Sequence, residues 1–463
     1  MTKSIFSRRE FIKKNSLTGL GAVVAMNAAP SVFSNFTKDA TVPAVLGGTP
    51  VRTKSWPGWP VWNPVTDEKR VIDILRKGVW CRAGVQQSVV GEFEEKWANA
   101  LGAKRCLAVV NGTNALIVAL KMLNIGGGDE VIVTPYTFIA TISAILDVGA
   151  MPVFADVDPE TFQINPANIE KKITSRTRAL LPVHILGLPA DMISIMEIAR
   201  KHDLLVIEDA CQGWFAEINH QKVGTFGNAG CFSFQNSKHL PIGEGGAIIS
   251  DDDDLMDRCH SYHNCGRAYG KMSDPVGGQY IIRGNNLRMT EYQAAIGLAQ
   301  LKRLDEHTSI RNRNAEYLKS KIKNIPGISP YKLYDNVTRA AFHLFPFRYN
   351  KDEFNGLSRD QFFRALRAEG VPASGGYTGL LFSMPYLNDA FQSKNYQKMY
   401  PKEMLDFNKF VEQNHCPESE RLSNETGAWI SQRLLLGTKS DMDDVYRAIE
   451  KVHANSEKIK AGI

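Results

Sequence analysis

From residue 105 to residue 250 the chain alternates short apolar runs with stretches in which apolar residues return at every third or fourth position. Cys106 to Val110, Glu130 to Thr134, Met151 to Val157, Ala179 to His184 and Leu204 to Ile207 are runs of strand length. Leu116, Ala119, Leu120 and Leu123 share one face of an intervening helix, Ile139 to Val148 predicts a second, and Met192, Ile195, Met196 and Ala199 mark a third. Apolar strands alternating with amphipathic helices predict an α/β fold, with a mostly parallel sheet covered by helices on both faces.

The rhythm changes near residue 250. Tyr292, Ala295, Ile296 and Ala299 begin a long helix running toward Arg313. Beyond it, a strand over Phe342 to Tyr349 and helices over Arg359 to Glu369 and Met442 to His453 predict a smaller α+β unit. Residues 371–425 read as mostly loop. The expected organisation is a signal and linker over 1–40, a large domain over 41–310 and a small C-terminal domain over 311–463. The large domain opens with a leader rich in Trp and Pro, from Trp56 to Trp62.

Composition adds mainly exclusions. With 463 residues, 43% hydrophobic and 22% charged, fibre, coiled coil and wholesale disorder are ruled out. The net charge of +6 is largely terminal: residues 1–40 hold six Lys/Arg and two acids, leaving 49 against 47 for the rest. So balanced a body lacks the long basic face that a phosphate backbone requires, and nucleic acid is not an expected partner. Ser7-Arg8-Arg9-Glu10-Phe11-Ile12-Lys13-Lys14 before the apolar run Leu17 to Ala29 resembles a twin-arginine export signal, with a plain basic tail as the alternative. The run is shorter than the about 20 residues a spanning helix needs, so no stable membrane anchor is expected. The protein is expected to be exported to the periplasm or beyond, with the segment up to about residue 30–40 removed. Seven scattered cysteines do not form a disulfide framework.

Candidate chemistry concentrates in Cys231 to Ala247, CFSFQNSKHLPIGEGGA. Lys238 sits between an apparent strand and a Gly-rich turn, with no amphipathic pattern to place it in solvent. A desolvated lysine amine forms Schiff bases with carbonyls, although a lysine taken alone is far more often a surface cation. Asp209 is a partner, ending the run LLVIED 29 residues before Lys238, where open α/β sheets bind ligands. A carboxylate there either caps a helix or keeps a pyridinium nitrogen protonated, the condition under which pyridoxal phosphate acts as an electron sink. Asn111-Gly112-Thr113-Asn114 joins a strand to a helix starting at Thr113 or Asn114, whose free amides and hydroxyl suit a phosphate. Phe138, at the start of the next helix, belongs either to the core or against a planar ring.

In order, NGTNAL, TPYTFIAT, PVHILG, VIEDACQ, SFQNSKHLPIGEGGA and GNNLRMTEYQAA resemble the DegT/DnrJ/StrS family of pyridoxal-phosphate sugar aminotransferases. The likeness is dense over residues 70–315, and SFQ..K, GEGG and MTEYQAA are most similar to the branch that aminates scyllo-inosose. The resemblance implies the fold of aspartate aminotransferase, fold type I. It also implies that Lys238 carries the cofactor covalently, Asp209 pairs with the pyridinium nitrogen and Phe138 stacks on the ring. Gly112, Thr113 and Ser233 would hold the phosphate, Gln212 would lie near O3′, and His184 would lie close to the ring. Asn286 would reach the phosphate of a neighbouring subunit, which implies a homodimer with shared sites.

The implied activity is transamination from an amino acid, Glu or Gln, to a keto-sugar or keto-cyclitol. Dehydration or epimerisation by the same cofactor, or an exported binding protein of the same fold, are the alternatives; the dehydratase branch has His at the lysine position, which counts against it here. Glu244 and Leu287 depart from many relatives, which carry Asp and Ser there, so the substrate side is expected to differ. Cys259, His260, His263 and Cys265 crowd four soft-metal ligands into seven residues, yet zinc sites draw ligand pairs from separated segments. An ordinary loop and no metal are expected there.

Overall fold

The computed structural model describes residues 40–463 apart from 86, 274–278 and 378–379, so the twin-arginine segment lies outside the described residues. Seven strands form the central sheet: β1 (Arg105–Val109), β2 (Glu130–Val133), β3 (Met151–Phe154), β4 (Thr177–Leu181), β5 (Leu205–Asp209), β6 (Ala229–Ser233) and β7 (Gly246–Ser250). Their order is β1-β7-β6-β5-β4-β2-β3. Every pair from β6 to β3 is parallel, and β7 runs antiparallel to both its neighbours, β6 and β1.

Burial of both faces explains the continuous apolar runs. Leu107, Val109, Val131, Val133, Leu181 and Ile207 enter one core, while the alternate residues Ala108, Ile132, Leu180 and Val206 enter the other. The first core is covered by α3 (Gly112–Met122), α4 (Ile139–Asp147) and α6 (Asp253–His263). The second is covered by α2 (Val89–Leu101), α5 (Met192–Lys201) and the start of α7 (Glu291–Ile322); α1 (Pro64–Lys77) also packs on α7. Removing apolar area from water on both faces, at about 25 cal/mol per Å², is the main stabilising term of such a sheet.

The long helix is capped by a reciprocal bond pair between Thr290 and Gln293 and runs for 32 residues. Beyond it, β8 (Ile328–Pro330), β9 (Leu344–Tyr349), β10 (Ala373–Ser374) and β11 (Gly427–Ser431) form an antiparallel sheet in the order β8-β9-β11-β10. Phe345, Phe347 and Tyr349 pack there with Phe362 and Leu366 of α8 (Arg359–Ala368) and Ile449 of α9 (Lys439–Ala454).

Two expectations need correction. The stretch 371–425 is not mostly loop: it holds helices over Pro385–Gln392, Lys394–Met399, Phe407–Gln413 and Pro417–Arg421. Each is too short for a hydrophobic period to register, and local caps from Ser393 and Asp406 start two of them. Cys259, His260 and His263 lie in no loop but on α6, which Asp252 caps and whose Leu255, Met256 and Cys259 are buried; only Cys265 follows the helix. Among the described residues, no helix is long and apolar enough to cross a membrane.

Candidate active site

The carboxyl ends of β1, β5 and β6 open into a cavity of about 540 Å³ lined by Gly112, Thr113, Phe138, Asp209, Gln212, Ser233 and Lys238 among others. Seven of the nine residues singled out from the sequence thus share one wall system. A larger hollow of about 930 Å³ lies at the far end of α3, beside Lys121, Arg178 and Arg258, away from all of them.

Asn111 caps α3 by accepting the Asn114 amide at 2.9 Å. The helix starts at Gly112, one or two residues earlier than its sequence pattern predicted. A Cβ on Gly112 would stand 2.7 Å from the Ser233 Cβ and 2.8 Å from the Cys211 Sγ, so only glycine lets this turn close on β6. The Gly112 and Thr113 amides, in the first turn, have no acceptor among the described residues. Unsatisfied first-turn amides and the helix dipole favour an anion here.

Asp209 ends β5 and is 4% exposed. No helix follows it, which removes the capping alternative. Its Oδ2 accepts the Thr141 hydroxyl at 2.8 Å and its Oδ1 the Cys211 amide at 3.1 Å. Thr141 in turn lies 3.0 Å from the Thr137 hydroxyl, one turn back on the same segment. The carboxylate is therefore held at a set orientation with its outer face toward the cavity.

Lys238 follows a tight turn in which Ser237 donates to the Gln235 side chain at 2.7 Å. Its amine stands 5.8 Å from the centre of the Trp214 ring and has no hydrogen bond or ion pair among the described residues. Burial lowers its pKa below the ordinary lysine value, an effect partly offset by neighbouring Cys211 and Asp209. Neutral amine is the nucleophilic form, so this environment favours attack on a carbonyl.

Phe138 stands at the cap of α4 with 57% of its surface exposed, an aromatic face free to cover a flat ligand. Gln212 accepts the Leu186 amide at 2.8 Å and donates to the Tyr377 hydroxyl at 3.1 Å. Open amides, an uncovered aromatic face, a fixed carboxylate and an unpartnered amine together fit a planar ligand bearing an anion and a carbonyl.

His184 does not line this cavity. It is fully buried, its Nδ1 accepting the Ala190 amide at 3.1 Å and its Nε2 donating to Glu208 at 3.0 Å. Glu208, next to Asp209 but on the opposite face of β5, also accepts the Gly224, Phe226 and Gly227 amides. Both imidazole nitrogens are engaged in holding loops, and the ring stays out of the cavity lining. Asn286 is exposed and lies outside the cavity, bridged to Asn264. Of the two substrate-side departures, Glu244 lines the cavity, whereas the Leu287 side chain is buried at 6% exposure in the core. Sequence reasoning missed Thr141, Tyr377 and His343. Only Thr141 left a signal, its four-residue spacing from Thr137 across the start of α4.

Residues 65–405 match the model of the DegT/DnrJ/EryC1/StrS aminotransferase family. A putative L-glutamine:3-amino-2,3-dideoxy-scyllo-inosose aminotransferase of Streptoalloteichus tenebrarius is 36% identical over 420 residues, covering 90% of this chain and 99% of its own. The L-glutamine:2-deoxy-scyllo-inosose aminotransferase of Streptomyces kanamyceticus is 33% identical over 419 residues, covering 88% and 96%. Among solved structures, an aminotransferase from Psychrobacter cryohalolentis superposes with a TM-score of 0.75 at 31% identity, over 87% of this chain and all of its own. The family match and these relatives place transamination above the dehydration, epimerisation and binding-protein alternatives. The chain belongs to the DegT/DnrJ/EryC1/StrS aminotransferase family and is a transaminase of the pyridoxal-phosphate-dependent kind, built on the fold type I architecture.

Proposed function

We propose that the protein binds pyridoxal phosphate through Lys238 and moves the amino group of glutamine onto a keto-cyclitol. The observation that carries this reading is the unpartnered, desolvated amine of Lys238 in one cavity with Asp209 and the open amides of α3. When bound, pyridoxal phosphate supplies an electron sink that acidifies the α-carbon of the donor amine. Gly112 and Thr113 amides with the Ser233 hydroxyl take its phosphate, Phe138 covers its ring, and Gln212 faces its phenolic oxygen. Asp209 holds positive charge at the pyridine nitrogen, oriented by Thr141. The neutral Nζ of Lys238 takes the proton from the donor's α-carbon and later returns one to the product.

Glutamine and keto-cyclitol are the substrates named for the relatives, and the cavity supports carrying them over. Its outer wall offers Asn111, Gln235, Ser237, Tyr377 and the Glu244 carboxylate, and no arginine among the described lining residues. Neutral hydrogen-bonding groups suit a polyhydroxylated ring better than the diphosphate of a nucleotide-linked sugar. Asn286, exposed and absent from the lining of its own cavity, is assigned to the phosphate of a second copy in a homodimer. Export by the twin-arginine route, with the cofactor already enclosed, belongs to the same proposal; fractionating cells that express the native chain and an Arg8→Lys/Arg9→Lys variant tests it.

Borohydride reduction of the cofactor-loaded protein followed by peptide mapping tests the core of the reading. Lys238 is expected to carry the tag, and a tag on another lysine refutes the assignment. Loss of the cofactor's absorbance band on adding glutamine, and its return on adding a keto-cyclitol, tests the substrates.

A further inference from the structure

Behind Lys238 the structure encloses polar groups that the proposed chemistry does not use. Trp214 Nε1, both nitrogens of His239, His343 Nδ1 and Arg311 Nη1 are buried with no hydrogen-bond partner among the described residues. The Trp214 and His239 rings lie 5.0 Å apart, and each lies 5.9 Å from His343. Arg311, fully buried on α7, meets no carboxylate among the described residues: its Nε and Nη2 both donate to the neutral Gln432 Oε1, at 3.0 and 2.5 Å. Burial lowers its pKa to about 9, and its charge depresses the pKa of both imidazoles, on top of the larger effect of burial.

Orphaned polar atoms, and a cation met by the Trp59 ring face at 5.4 Å rather than by an anion, are costly in a protein interior. Such a chamber presents a positive potential to the wall it shares with its neighbour. The chamber meets the reaction cavity at His343, which lines it. Because Nδ1 of that ring is enclosed, Nε2 is the atom left to face the cavity. Every amino-acid donor brings a carboxylate on the same carbon as its reacting amine, so an anion acceptor is needed beside Lys238.

We propose that His343 binds the α-carboxylate of the amino donor and that Arg311 acts as a positioning residue, its positive potential drawing the carboxylate to this wall. The assignment rests on the transaminase reading and goes further by separating the two substrates: the donor meets His343 as an anion, and the neutral acceptor meets it with a hydroxyl. The hydroxyl forms a neutral hydrogen bond, weaker than the charge-assisted one.

The test compares glutamine with its α-carboxamide in single-turnover half-reactions of the loaded enzyme, followed by the cofactor's absorbance. The parent is expected to favour glutamine strongly. His343→Gln should lower kcat/KM for glutamine by about 10- to 100-fold, the loss typical of one charge-assisted hydrogen bond, with a distinctly smaller loss for the carboxamide and the keto acceptor, which lose only a neutral bond. Binding of glutarate, a dicarboxylate with no amine to react, is measured by calorimetry on the cofactor-saturated protein. Its affinity should fall in His343→Gln and Arg311→Met and largely survive in Arg311→Lys. Equal losses for both donors, or glutarate binding unchanged in all three variants, would overturn the assignment. A parent that reacts with no amino acid yet binds glutarate through His343 would instead sink the transaminase substrates and leave the anion subsite standing.

Discussion

Replacing Thr141 with Val tests how Asp209 is held. Valine keeps the shape of this side chain, 1% exposed, and removes only its hydroxyl. That hydroxyl is the sole donor to Asp209 Oδ2 among the described residues, at 2.8 Å, while Oδ1 keeps the Cys211 amide at 3.1 Å. A hydrogen bond to a charged group contributes about 1.5–3 kcal/mol. Converted at about 1.4 kcal/mol per decade, that is a factor of roughly 10–150 in any equilibrium that needs the carboxylate fixed in place. Cofactor affinity, titrated by absorbance, should weaken within that range, and turnover at saturating cofactor should fall as well. The Thr137 hydroxyl also loses its 3.0 Å partner, so the unloaded chain should lose about 1–2 kcal/mol of stability in urea unfolding. If Thr141→Val binds the cofactor and turns over as the parent does, backbone contacts alone position Asp209 and the role given to Thr141 is wrong.

Glu208→Gln should destabilise the fold by about 3–5 kcal/mol, because an amide cannot accept from three backbone amides and a His184 ring at once; a chemical unfolding curve superimposable on the parent's would refute this. Lys238 makes stability depend on pH with a definite sign. Its folded pKa is lowered, so between that value and the ordinary lysine pKa of about 10.4 the unfolded chain holds a proton that the folded chain has released. The cofactor-free parent should therefore gain stability relative to Lys238→Met as pH rises through that window, and a difference that stays flat contradicts the desolvated amine. Mixing inactive Lys238→Ala with inactive Asn286→Ala chains should restore part of the activity; failure to complement, given proven subunit exchange, would place each site within one chain.

The parts of the site nearest the bond-making chemistry were the parts legible in the sequence. Asp209 ends β5, Gly112 opens α3 just after β1 and Lys238 lies in the turn beyond β6, each within a recognisable local signature at the carboxyl edge of the sheet. The surroundings of His184 were not legible: its ring bonds Glu208 on the opposite face of β5 and does not line the cavity, which no local pattern announces. Thr141 was missed because a Thr inside an apolar helix reads as filler unless its hydroxyl's partner, 68 residues away, is known. The short helices of 371–425 escaped for a different reason: with one or two turns apiece, they follow from capping and tertiary packing more than from periodicity.

This division has a consequence for substrate choice. The chemical half of the cavity comes from residues 111–141 and 209–244, within the sheet and its first turns, while His343, Leu344 and Tyr377 arrive from the C-terminal half of the chain. A polar link ties the two halves where the Tyr377 hydroxyl meets the Gln212 side chain at 3.1 Å and Gln212 accepts the Leu186 amide, and ring contacts of His343 with Trp214 and His239 add to it. A substitution on the far wall can therefore alter which carbonyl compound enters without moving Lys238 or Asp209. Local signatures report the reaction because it demands fixed atoms just beyond strand ends; they say less of the acceptor because part of its wall, Tyr377, comes from a segment more than a hundred residues beyond the lysine. Substrate discrimination in this protein should accordingly respond to changes at Tyr377 together with Ser237 and Glu244 near the lysine, and acceptor choice that shifts with the latter two alone would refute the part given to the distant segment.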